Sequence, residues 1–104
     1  MKQKKVAIIM GSRSDLAEVE KTAKVLSDLG IGYEMHIISA HRTPDTASGF
    51  AQRAEAEGFD VIIAAAGKAA HLAGVMAAGT VLPVIGIPMK TGDLGGMDSL
   101  LSTV

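Results

Sequence analysis

Two short runs, Val6-Ala7-Ile8-Ile9-Met10 and Val61-Ile62-Ile63-Ala64-Ala65, contain no polar residue. A strand with one wet face alternates apolar and polar side chains. Runs like these therefore belong to strands covered on both faces, the condition of a parallel sheet held between helices. Each run passes into a glycine-bearing loop and then into helical spacing. Gly11-Ser12-Arg13-Ser14-Asp15 leads to Leu16, Val19, Ala23, Leu26 and Leu29, with Gly30 as C-cap. Ala66-Gly67-Lys68-Ala69-Ala70-His71 leads into an alanine-rich helix that ends near Gly79 and places His71 about a turn inside it.

Between these units, Tyr33, Met35 and Ile37 alternate with Glu34 and His36, which predicts an edge strand over 33–38 with one wet face and His36 in solvent. Thr43, Pro44 and Asp45 have the order of an N-cap, a first-turn proline and a first-turn acid. The helix they open buries Ala47, Phe50, Ala51 and Ala54 and stops near Gly58. Leu82 to Pro88 predicts a fourth strand, and a last helix starts near Gly95 and runs into Leu101. Strands alternating with helices imply right-handed crossovers and helices on both faces of the sheet. The expectation is one α/β domain over 1–104, a three-layer αβα flavodoxin-like parallel sheet with the second strand outside the first. Ligands of such sheets lie beyond the carboxyl ends of the strands, at the switch point between the first and third. Three loops meet there: 11–15, 39–45 and 67–71.

Composition excludes several classes. The chain has no cysteine, so disulfides and thiolate metal sites are ruled out, and a reducing compartment suits it. Ten basic and eleven acidic residues give a net charge of -1 with no basic stripe, and three aromatics leave little to stack on bases. Nucleic acid is not an expected partner. The apolar run after Lys4 and Lys5 is too short to export the chain or to span a membrane. Hydrophobic residues make up 48%, with a mean hydropathy of +0.32, which points to contacts between subunits. Met10, Met35, Met76, Met89 and Met97 read as packing filler.

The loops carry the chemistry. Gly11 to Asp15 offers amides, two hydroxyls and a carboxylate at a helix start, suited to a phosphate with Asp15 on sugar hydroxyls; equally, Ser14 or Asp15 does no more than cap the helix. The loop lacks G-x-G-x-x-G, and Gly67-Lys68 is no P-loop, because Ile62 and Ala69 occupy two of its required positions. His41 lies between a strand end and a helix start beside Arg42. The cation and the helix N-terminus both favour an uncharged imidazole, a base fit for moving a proton; the alternative is a histidine bonded within its own turn. His71 either lines the pocket or satisfies a core position, and Lys68 either meets an anion or is solvated. A metal held by His41, His71 and Asp15 has no paired-histidine spacing to support it.

Taken together, Met10 to Asp15, Ser39-Ala40-His41-Arg42-Thr43-Pro44-Asp45, Gly67 to Leu72 and Leu82 to Pro88 resemble the N5-carboxyaminoimidazole ribonucleotide mutase (PurE) family of purine biosynthesis. The match runs from about Val6 to Val104, with its motifs in the family's order. The resemblance implies a cytoplasmic homo-octamer that needs no metal or cofactor. It implies that Ser12, Asp15 and Arg42 bind a ribonucleotide, with Ser14, Ser39 and Ala40 close by. By the same resemblance His41 is the general acid/base, and Gly67, Ala69, Ala70, His71 and Leu72 enclose the carboxylate and imidazole. In the family reaction the carbamate on N5 releases CO2 inside a closed pocket and C4 captures it, so one histidine can serve both proton steps. Lys68 and Ala73 depart from the Gly and Pro of many relatives. Relatives also run on beyond this chain with a fifth strand and a C-terminal helix, so a fragment with poor activity is expected.

Other classes fit less well. A phosphoreceiver needs acids where Met10, Gly11, Ala65 and Ala66 stand. A flavin carrier usually sandwiches its ring between aromatics, yet Tyr33, Phe50 and Phe59 lie outside the loops. A structural subunit is suggested by the apolar composition and the missing C-terminal part, and a related branch of the family carboxylates aminoimidazole ribonucleotide directly with CO2.

Overall fold

The computed structural model describes residues 4–67 and 71–89 together with Met97, Leu100 and Leu101. The first apolar run forms β1 (Lys5–Met10), and a 3-10 turn over Arg13–Asp15 leads into α1 (Leu16–Asp28). There follow β2 (Gly32–Ile37), α2 (Pro44–Arg53), β3 (Val61–Gly67), α3 (Leu72–Gly79) and β4 (Val84–Met89). The strand order is β2-β1-β3-β4, all parallel, with the second strand outside the first as expected. β3 is two residues longer than the apolar run, because Ala66 and Gly67 still pair with Pro88 and Met89 of β4. Of the expected last helix, Met97, Leu100 and Leu101 are helical, and the rest lies outside the described residues.

Alternate side chains of the central strands fill two cores. Ala7, Ile9, Ile62 and Ala64 pack with Ala47, Phe50 and Ala51 of α2 and with Leu72 and Met76 of α3. Val6, Ile8, Met10, Ile63 and Ala65 pack on the other face with Val19 and Ala23 of α1. The apolar runs are explained by this two-sided burial: Ile8, Ile9 and Ile62 are wholly buried, each stabilising the fold by about 1.5–3 kcal/mol before ordering entropy is set against it. Left-handed Gly30 and Gly58 turn the chain after α1 and α2.

β2 departs from the alternation read in its sequence. The apolar side chains Tyr33, Met35 and Ile37 are wet as well as Glu34, exposed by 38%, 36% and 49%. α1 buries only Val19 and Ala23 and leaves that side of the edge strand uncovered. His36 is not free in solvent: on the opposite face it is half-buried, with its ring 5.2 Å from that of Phe50 and its Nε2 3.3 Å from Glu34. Of the methionines read as filler, Met10, Met76 and Met89 are buried, whereas Met35 and Met97 are exposed.

α2 and α3 pack side by side, and a glycine sets their closest approach. A Cβ on Gly79 would lie 3.0 Å from that of Ala51 and 3.7 Å from the Ser48 carbonyl oxygen. Gly79→Val is expected to cost about 1–3 kcal/mol through overpacking, read as a lower denaturant midpoint; an unchanged midpoint would show that the helices part freely.

Candidate active site

The three loops leave the sheet at one edge, and the first two are pinned there by backbone bonds. Gly11 N–H donates to the Ala65 carbonyl at 3.0 Å and Ile38 N–H to the Met10 carbonyl at 2.9 Å, which carries the parallel pairing one residue past the strand ends.

In the first loop, Ser12 caps the 3-10 turn. Its Oγ accepts from Ser14 N–H at 3.3 Å and lies 3.0 Å from Ser14 Oγ, and its carbonyl accepts from Asp15 N–H at 3.1 Å. The helix cap expected of Ser14 or Asp15 is therefore absent in that form, since Asp15 holds the N-cap position of α1 without a side-chain cap bond. Burial pushes the Asp15 carboxyl above its usual range, opposed by a hydrogen bond from the Ser12 backbone. That half-buried carboxyl lies at the cleft with hydrogen-bonding capacity to offer.

The second loop is organised by Ser39. Its Oγ accepts from Arg42 N–H at 3.0 Å, and its carbonyl accepts from both Thr43 N–H and Thr43 Oγ1 at 2.9 Å. Thr43 occupies the N-cap position as expected, but its hydroxyl turns back to Ser39 and makes no cap bond, while Pro44 and Asp45 take the first turn. His41 stands in the turn so closed.

In the third loop, Lys68, Ala69 and Ala70 lie outside the described residues. His71 is at the N-cap position of α3 and not a turn within the helix, because its carbonyl already accepts the first helical bond, from Val75 N–H at 3.0 Å. Leu72, next to it, is buried.

Between the loops lies a cleft of about 260 Å³. Gly11, Ser12, Ser14 and Asp15 line it from the first loop, Ser39, Ala40 and His41 from the second, and Ala66, Gly67, His71 and Leu72 from the third. Across it, Nε2 of His41 lies 3.1 Å from Nδ1 of His71, with the rings edge to face at 83° and centroids 5.3 Å apart. Residues thirty positions apart thus share one hydrogen bond.

Most of the residues expected at the site meet in this cleft. Arg42 is exposed and is not among the lining residues; it contributes its backbone N–H to Ser39. Gly11 and Ala66 line the cleft without having been singled out as site residues, although both follow directly on an apolar run, where the sequence could have placed them. The contact between the two imidazoles was not foreseen, since it depends on how α2 and α3 pack. A second hollow of about 580 Å³, between α1 and the end of β4, is lined by Val19, Ile87 and Pro88 with Glu18, Lys21 and Thr22, and carries no imidazole.

The chain is also similar to known proteins. The family model described as AIR carboxylase matches residues 5–104. The chain is similar to the N5-carboxyaminoimidazole ribonucleotide mutase of Pyrococcus abyssi, 58% identical over 100 residues that cover 96% of this chain and 58% of the relative. It is likewise similar to that of Thermotoga maritima, 55% identical with the same coverage of each chain. The crystal structure of Treponema denticola PurE superposes with a TM-score of 0.84 at 31% identity, over 97% of this chain and 64% of that one. The chain spans about 58% of the length of these curated relatives.

Two expected outcomes follow from the loops. With its folded-state pKa raised, the ionised Asp15 carboxylate opposes folding at neutral pH, and that cost fades as pH falls through the folded pKa and is gone below the unfolded one. Asp15→Asn should melt slightly higher than the parent at pH 7, and the difference should close on acidification through the carboxylate range; a pH-independent difference would contradict this. Ser39→Ala should lose about 0.5–1.5 kcal/mol in denaturant unfolding as Arg42 N–H loses its acceptor.

Proposed function

The chain belongs to the AIR carboxylase family, and from that membership we propose that it forms the substrate site of an N5-carboxyaminoimidazole ribonucleotide mutase. The observation that carries the reading is the meeting of the three loops around one cleft with His41 inside it. The Ser12, Ser14 and Ser39 hydroxyls and the start of α1 suit a phosphate, and Asp15 suits the ribose hydroxyls. Arg42 borders the same turn and supplies a cation for the phosphate. Gly67, His71 and Leu72 wall the side where the heterocycle and its carboxylate lie, together with Ala69 and Ala70, whose roles rest on the family resemblance alone.

The chemistry is an isomerisation that balances without a co-reactant. The N5–carboxyl bond breaks, CO2 leaves, and N5 takes a proton from His41. C4 then attacks the trapped CO2, and the C4 proton returns to the imidazole, so that the histidine ends as it began. The product is 4-carboxy-5-aminoimidazole ribonucleotide. The buried apolar wall at Leu72 suits retention of CO2. No cofactor enters these steps.

Assembly from several copies, an octamer by family resemblance, is supported by the exposed apolar side chains on β2 and α1: Tyr33, Met35, Ile37, Val25 and Leu29. Among the described residues no helix is long and apolar enough to cross a membrane; a cytoplasmic location is part of this reading. Direct carboxylation of aminoimidazole ribonucleotide is favoured only by the family's own description, since relatives at 58% and 55% identity carry the mutase name. A flavin carrier is disfavoured because no Phe or Tyr is among the residues lining the cleft.

Conversion of the N5-carboxylated ribonucleotide to its C4 isomer tests the proposal, with the Pyrococcus abyssi relative assayed alongside. Weak turnover is expected from this chain and full turnover from the relative. His41→Asn should bind aminoimidazole ribonucleotide as the parent does, by calorimetry, and lose at least ~100-fold in turnover. Unchanged turnover would remove His41 from the mechanism.

A further inference from the structure

The contact between Nε2 of His41 and Nδ1 of His71 fixes more than the distance between two rings. At 3.1 Å the two nitrogens share one hydrogen. Whichever ring carries it, Nε2 of His41 is engaged, and Nδ1 is the nitrogen of that ring for which no partner is seen among the described residues. We propose that His71 is a positioning residue that holds the Nε2–H of His41, so that the proton exchanged with substrate moves at Nδ1 of His41. This rests on the mutase reading above for the identity of the substrate, but not for the hydrogen bond itself.

The assignment follows from the two states that any histidine shuttling one proton must occupy. As an acid, His41 is protonated on both nitrogens, and its Nε2–H needs an acceptor. As a base with its lone pair on Nδ1, it keeps the hydrogen on Nε2 and needs the same acceptor. A neutral His71 with its own hydrogen on Nε2 presents the Nδ1 lone pair in both states, so nothing around the ring rearranges when the proton moves. The reverse arrangement, with His71 donating from Nδ1, holds the lone pair of His41 on Nε2 and puts a hydrogen on its Nδ1. The free nitrogen is then blocked as a base.

The backbone that carries each ring is anchored. His41 sits in the turn closed by three bonds to Ser39. His71 begins α3, with its carbonyl in the first helical bond and buried Leu72 beside it. A turn and a helix start on neighbouring crossovers therefore hold the two imidazoles edge to face.

The test is nuclear magnetic resonance on the chain labelled with 15N at histidine, at a pH of about 8, above the reference value of a free imidazole. The expected result is a 15N–15N coupling across the hydrogen bond between His41 Nε2 and His71 Nδ1, with the hydrogen assigned to His41 Nε2. His71→Ala and His71→Phe should abolish the coupling and shift the His41 nitrogens toward those of an unconstrained imidazole. His71→Asn, which can place an amide oxygen near the lost Nδ1, should keep His41 in the Nε2–H form. Turnover should fall at least about tenfold in the Ala and Phe variants with KM little changed, and recover in Asn. A coupling that is absent in the parent, a hydrogen found on Nδ1 of His41, or nitrogen shifts that ignore all three substitutions would overturn the inference. Because the coupling is read on the parent protein, loss of folding in a variant leaves the decision intact. A parent that shows the coupling but never isomerises the ribonucleotide would sink the mutase reading alone.

Discussion

The pairing of β1 with its two neighbours is the constraint on which the other features depend. Met10 lies level with Ile37 on one side and Ala65 on the other, so three strands remote in sequence end at one height. Backbone bonds from Gly11 and Ile38 extend that alignment by a residue and fix where the loops leave the sheet. A slip of one residue in β1 would exchange its two faces, sending Ile8 toward α2 and Ile9 toward α1, and would break both cores at once. The register that buries the isoleucines is the register that closes the cleft, so stability and site geometry share one cause.

Much of this was legible because its physical causes are local. An all-apolar run needs cover on both faces, and that alone separates a central parallel strand from an exposed one. The strand order, the end of α1 just before Gly30 and the convergence of the three loops followed from such runs and their punctuation, whereas α2 stops at Arg53, five residues short of the expected Gly58, which only turns the chain further on. Less legible were features decided across space. β2 alternates as an edge strand should, but whether its apolar side is covered depends on the reach of α1, which sequence periodicity does not report. His36 carries a polar label and is half-buried because Phe50 of α2 comes to it. Thr43 has the right residue type for a cap, and its hydroxyl still goes to Ser39, since a carbonyl at the end of β2 competes with the helix for it.

His71 shows the same division. Its place near a helix start could be read from the chain, but its partner could not. β2–α2–β3 and β3–α3–β4 are crossovers on the same face of the sheet, so α2 and α3 run alongside each other with both N-termini at the carboxyl edge. Small residues, Gly79 against Ala51, let the two helices come close. The meeting of two imidazoles is thus a product of helix packing, set by alanines and a glycine that carry no chemistry themselves.

The nature of the partner matters as much as its position. A carboxylate beside an imidazole favours the charged ring and makes the proton harder to give up. A second neutral imidazole still accepts a hydrogen bond and brings no net charge, so it orients the first ring with less bias between its acid and base forms. A reaction that protonates one atom of its substrate and deprotonates another within the same turnover needs both forms to be accessible. The carboxylate lining the cleft among the described residues, Asp15, lies on the first loop, whereas the histidine of the second loop is paired with another histidine. Under the proposed mutase function, this separation is what would let one cleft bind a charged nucleotide firmly while keeping the proton mobile.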